Sequence, residues 1–153
     1  MHAVETRLAE LGIILPDAPT PVANYVPYVI SGNMVYVSGQ ISQHGGTLIR
    51  GRLGETLDVA EGAQAARSCA VNLLSQVSKA CDGDWSRLKR VVKLTGFVSS
   101  TPSFTDQPKV INGASDLMVE IFGDAGRHAR SAISAASLPS GAAVEIEAIF
   151  ELT

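Results

Sequence analysis

The chain has 153 residues, 46% hydrophobic and 18% charged, with a formal net charge of −3. That length and balance describe one compact domain over residues 1–153 with its own core, not a disordered segment. The acidic balance and the absence of a Lys/Arg run exclude a protein whose main work is gripping phosphate backbones.

Residues Ala3 to Leu11 have helical spacing, with Val4, Leu8 and Leu11 on one side. The start lacks a basic stretch followed by an apolar core, so it does not read as a secretory signal. Pro16, Pro19 and Pro21 then break regular structure, and residues 12–24 read as an extended arm. Tyr25 to Ile30 and Met34 to Ser38 are strand-like around the turn Ser31-Gly32-Asn33, which predicts a hairpin. Thr47 to Ile49 reads as a short third strand after the His44-Gly45-Gly46 loop.

The strongest helix spans Val59 to Ala80. Asp58 and Glu61 form a candidate capping box before an apolar stripe of Ala63, Ala66, Ala70, Leu73, Leu74 and Val77. Asp82-Gly83-Asp84 ends it. Arg87 or Leu88 to Ser99 reads as a buried strand. A second long helix covers Asp106 to Phe122 and stops at Gly123. The last two strands are Ala129 to Ser137 and Ala142 to Leu152. The order is an α+β layout: a mixed six-stranded sheet with two long helices on one face. On the last strand Val144, Ile146, Ala148, Phe150 and Leu152 point one way. Glu145, Glu147 and Ile149 point the other. A face mixing Ile149 with acids predicts an oligomer that packs sheet faces together.

Cys69 and Cys81 stand outside any Cys-x-x-Cys motif and read as buried reduced thiols, which fits a reducing cytosol. No apolar run reaches membrane-spanning length. The expected localisation is cytoplasmic. His2, His44 and His128 are scattered without ligand spacing, so no metal and no cofactor is expected. Neither a Gly-x-Ser-x-Gly elbow nor a phosphate-cradling glycine loop is present.

The chemistry concentrates near the C-terminus, where Arg130 lies among small and apolar residues. A guanidinium there either pairs with Glu145 or Glu147 or holds a planar carboxylate through two parallel hydrogen bonds. Glu145 is either an interface acid or a group that orients a water and moves a proton. Burial would raise its pKa and a close arginine would lower it. His128 precedes Arg130 by two and shares its face if strand geometry already holds there; otherwise it reads as a surface or loop histidine. Tyr25 is either a strand aromatic or a pocket hydroxyl, and Gly39 suits a tight bend.

Gly32-Asn33-Met34, Val37-Ser38-Gly39-Gln40-Ile41, Ala129-Arg130-Ser131, Leu138-Pro139 and Val144-Glu145-Ile146-Glu147-Ala148-Ile149, with Tyr25 upstream, resemble the reactive intermediate deaminase family. That family is also called RidA, YjgF-like or endoribonuclease L-PSP. The resemblance covers about residues 22–152. It implies a chorismate-mutase-like protomer in a homotrimer with pockets at subunit interfaces. It implies hydrolysis of 2-imino acids, formed from enamines, to 2-oxo acids and ammonia. Arg130 matches the family's carboxylate anchor and Glu145 the glutamate associated with the attacking water. Tyr25, Ser38, Gly39 and Asn112 match pocket positions. Two residues depart: Ala132 stands where a Cys is frequent, and His128 where a Pro is. The expected partner is a small carboxylate-bearing substrate. The rival readings are a trimer that binds small carboxylates without chemistry and, last, an endoribonuclease.

Overall fold

In the computed structural model, residues 2–153 are described. The first helix, α1 (Ala3–Glu10), is capped by His2, whose side chain accepts from the Val4 amide while Glu5 reaches back to the His2 amide. Val4 and Leu8 are buried, and Arg7 donates to the Glu120 carbonyl at 3.1 Å. From Leu11 to Pro27 the chain carries no helix or strand, and over residues 12–24 this is the arm that its prolines predict.

The main sheet holds β1 (Tyr28–Ser31), β2 (Met34–Ile41), β5 (Leu88–Ser99), β6 (Ala129–Ala135) and β7 (Val144–Leu152), in the order β1-β2-β7-β5-β6. Only β5 and β6 run parallel. Between β2 and β5 lie β3 (Gln43–His44), β4 (Thr47–Leu48) and α2 (Val59–Ala80); α3 (Gln107–Phe122) joins β5 to β6.

The expected six-stranded sheet has five strands. The segment read as a third strand forms β4 of a separate two-stranded hairpin instead. Gly45 (φ 58°) and Gly46 (φ 80°) both take positive φ and close a two-residue turn. That turn folds β4 back on β3, and the Ile49 amide donates to the Ser42 carbonyl at 3.0 Å. The first strand also begins later than expected, at Tyr28. Pro27 has no amide to donate, and its carbonyl accepts from the Ser38 amide at 2.9 Å. The strand after His128 ends at Ala135 and the last begins at Val144, each inside the expected span.

The capping box on α2 is present: Glu61 N–H donates to Asp58 at 2.8 Å, and Asp58 N–H donates to Glu61 at 3.1 Å. Asp82 (φ 54°) and Gly83 (φ 75°) follow its end, and Gly123 (φ 60°) caps α3. Both long helices cover the same sheet face. The alternation on β7 is as the sequence predicts, with Val144, Ile146, Ala148, Phe150 and Leu152 buried. On the other face Tyr36 stands opposite Ile149, and Phe97 stands between Glu145 and Ile133. Tyr36 and Ile133 are both 47% exposed there. Among the described residues no helix is long and apolar enough to cross a membrane. Cys69 and Cys81 are free and buried.

Candidate active site

Glu145 lies on the helix-free face of β7, between Ile41 on β2 and Phe97 on β5. The pairing of β2 with β7 slips by one residue between Val37 and Gln40, so Ser38 and Gly39 bulge opposite Glu147. The bulge brings the Gly39 backbone under the Glu145 side chain: a Cβ on Gly39 would stand 2.8 Å from Oε2. Ser38 is fixed on the other side, its hydroxyl donating to the Val26 carbonyl at 2.8 Å. A cavity of about 290 Å³ opens here. Its walls include Tyr25, Ser38, Gly39, Glu145 and the arm segment from Pro19 to Val22.

Partial burial, and secondarily the charge of Glu147, raise the Glu145 pKa above the ordinary glutamate value. Among the described residues the carboxylate has no cation within ion-pairing distance. It is thus poised to exchange a proton nearer neutrality than a solvated glutamate would.

Arg130 is elsewhere in the protomer. It pairs with Leu94 in the β5–β6 register, and Leu94 faces the helices. Its guanidinium reaches α3, where Nη1 donates to Ser115 Oγ at 3.1 Å and Nη2 to the Pro108 carbonyl at 3.2 Å. Glu145 points to the opposite face, so among the described residues of one chain Arg130 forms no ion pair with Glu145 or Glu147. Two of the five guanidinium donors are occupied by α3, leaving enough to grip a carboxylate. Asn112 is exposed on α3 and falls on the same helical stripe as Pro108 and Ser115, four and three residues away. Ala132, two residues along β6 from Arg130, pairs with Gly96 and packs on the core rather than lining the Glu145 cavity.

Two residues stand behind Arg130 in a role that the sequence does not show: His128, which reads there as a surface or loop histidine, and Ser115. His128 Nδ1 lies 2.6 Å from the Gly126 carbonyl, which requires a proton on Nδ1, and Nε2 lies 2.9 Å from Ser115 Oγ. In the neutral ring Nε2 then accepts the serine proton, and the serine lone pairs are left facing Arg130. The chain Gly126–His128–Ser115–Arg130 therefore sets the direction of the guanidinium. The signal available in sequence was the departure at His128; Ser115 gave none. Among the described residues no group of three His, Cys, Asp or Glu side chains forms a metal-ion cage.

The sequence matches, over residues 5–151, the family described as "YjgF/chorismate_mutase-like, putative endoribonuclease". It is 52% identical to protein TCP17 of Trypanosoma cruzi, covering 97% of this chain and 94% of that one. It is 32% identical to a 2-iminobutanoate/2-iminopropanoate deaminase of Dermatophagoides farinae, covering 90% and 92%. Among solved structures it superimposes on Atu1372 of Agrobacterium tumefaciens, a protein of unknown function. The TM-score is 0.92 at 51% identity, over 99% of this chain and 93% of that one. With the α+β sheet and its one-sided helices, these matches show that the chain is a divergent member of the YjgF/RidA family.

Proposed function

We propose that the protein is a hydrolytic deaminase of small 2-imino acids, giving 2-oxo acids and ammonia, and that its working form is a homotrimer. The observation that carries this reading is the Glu145 cavity. A carboxylate with a raised pKa and, among the described residues, no counter-ion faces about 290 Å³ of space, over a glycine that leaves room for it. The relative named as an iminobutanoate and iminopropanoate deaminase supports the same chemistry.

An imine carbon is already electrophilic, so the site's tasks are anchoring, water placement and proton transfer. Arg130 holds the substrate carboxylate. Glu145 takes a proton from water as the water oxygen bonds to the iminium carbon and the C=N π pair moves to nitrogen. The resulting carbinolamine receives that proton on nitrogen from Glu145. The C–N bond then breaks as the hydroxyl oxygen forms the carbonyl and gives its proton to Glu145. Ammonia leaves and carries that proton away as ammonium.

Because Arg130 and Glu145 occupy opposite sheet faces, both act on one substrate only if two copies of the chain supply them. The exposed apolar residues on the same sheet face as Glu145 (Val29, Tyr36 and Ile133) offer the surface on which a second copy packs. In a coupled assay, a serine or threonine dehydratase generates the imine while the protein is added in substoichiometric amounts. Faster imine loss with stoichiometric 2-oxo acid and ammonia is the expected result. Binding of a 2-oxo acid with no faster imine loss would replace hydrolysis by simple carboxylate binding.

A further inference from the structure

A second cavity, of about 670 Å³, adjoins the Glu145 pocket and shares Pro19 and Gln43 with it as walls. One side is the arm, the second is the β3–β4 hairpin, and the floor is α2. Its size falls in the range of small-molecule sites.

Two members of a polar row on α2, Asn72 and Gln76, tie the walls in place, on a helix that otherwise serves the core. Gln64, Ser68, Asn72 and Gln76 are spaced by four residues and share one face of α2. The Gln76 Nε2 donates to the Pro19 carbonyl at 2.7 Å, fastening the arm. Asn72 Nδ2 donates to the Gln43 carbonyl at 3.5 Å, fastening the hairpin. Ser68, Asn72 and Gln76 are all buried, so the row is a built feature and not an exposed polar stripe.

Arg67 lines this cavity from α2 and is half-buried. Among the described residues it makes no hydrogen bond and no ion pair, whereas Arg7, Arg87 and Arg127 each have a carboxylate partner. A partly desolvated guanidinium without a partner is matched by a carboxylate that brings two oxygens. Around it Ile13, Ile14, Ile49 and Val71 offer apolar wall. Asp17, exposed on the arm, also lines the cavity, so the fixed charges nearly cancel and a polyanion is disfavoured.

We propose that this cavity is a second binding site, separate from Arg130, for a small aliphatic monocarboxylate held by Arg67. The arm that closes it continues as Pro19 to Val22 into the wall of the Glu145 pocket, so occupancy fixes part of that wall.

Calorimetric titration with hexanoate tests it, using the whole chain and the Arg130→Ala, Arg67→Ala and Val71→Phe variants. Hexanoate is expected to bind the Arg130→Ala protein, where the other carboxylate anchor is gone. Affinity should fall at least about tenfold in Arg67→Ala, by loss of a charge-assisted pair. It should fall likewise in Val71→Phe, which fills the cavity without touching the charge. Hexylamine, of matched length and opposite charge, should not bind. The proposal is overturned if Arg130→Ala fails to bind hexanoate, or if Arg67→Ala or Val71→Phe binds as the unsubstituted chain does. Loss in Arg130→Ala alone would assign hexanoate to the proposed active site, so failure here is distinguishable from failure of the deaminase reading.

Discussion

Gly39 lies directly beneath the Glu145 carboxylate: a Cβ built on it would stand 2.8 Å from Oε2 and 3.0 Å from Cδ. The two residues meet because the β2 bulge lifts the Ser38-Gly39 backbone toward β7. A methyl group there must push the carboxylate aside, and a long side chain yields more easily than backbone. Gly39→Ala is therefore expected to leave the melting temperature nearly unchanged. The same substitution should lower kcat for 2-iminopropionate roughly ten- to a hundredfold, the cost of misplacing a reacting group by about 1 Å. Paired melting and steady-state measurements check the separation.

Glu145 also makes stability depend on pH. Its folded-state pKa is raised by burial and by Glu147. The folded state thus favours the protonated form. The contribution is fully present below the ordinary glutamate value and is lost as pH rises through the raised value. Glu145→Gln removes that loss. Denaturant titrations should show a stability difference between variant and parent that shifts in the variant's favour as pH rises through this window. It should stay constant at more acidic pH. A difference that does not change with pH would show that the carboxylate titrates as a solvated one.

Ser115 and His128 are predicted to act through Arg130. Removing Ser115 Oγ takes away an acceptor at 3.1 Å from Nη1 and leaves the guanidinium held by the Pro108 carbonyl alone. Ser115→Ala is expected to raise KM about fivefold, the worth of about 1 kcal/mol of hydrogen bonding, with a smaller change in kcat. His128→Ala should move KM in the same direction. Steady-state kinetics on both variants, with circular dichroism to confirm the fold, reads this out.

The two long helices are locked together at Gly113, where a Cβ would run into the Ala63 carbonyl oxygen of α2. Both partners there are fixed by helical backbone, so neither can give way cheaply. Gly113→Ala is expected to destabilise the fold by ~2 kcal/mol or more in a urea titration, as overpacking does.

Much of this architecture is readable from local pattern. The Asp58–Glu61 cap and the alternation from Val144 to Leu152 are visible because both are short-range regularities with fixed spacing. The glycine at 123 likewise marks the end of α3. What the pattern does not carry is partnership between distant segments. The face taken by Arg130 depends on how β6 aligns with Leu94 and on where α3 presents Ser115 and the Pro108 carbonyl. Thr47 and Leu48 have a strand's geometry, but only the Gly45-Gly46 turn decides that they pair with β3 and not with the main sheet. The role of the arm was equally hidden, since it rests on one buried amide, Gln76, gripping the Pro19 carbonyl fifty-seven residues away in sequence.

The central claim is that Arg130 of one copy and Glu145 of another serve the same substrate. Arg130→Ala and Glu145→Ala chains are each expected to be inactive toward 2-iminopropionate while retaining the oligomer. After the two are unfolded and refolded together at equal concentration, mass spectrometry establishes that mixed oligomers have formed. Random mixing then gives about a quarter of the shared pockets both intact groups, and activity should return to about that fraction of the unsubstituted protein. Mixed oligomers that remain inactive would contradict a site shared between copies.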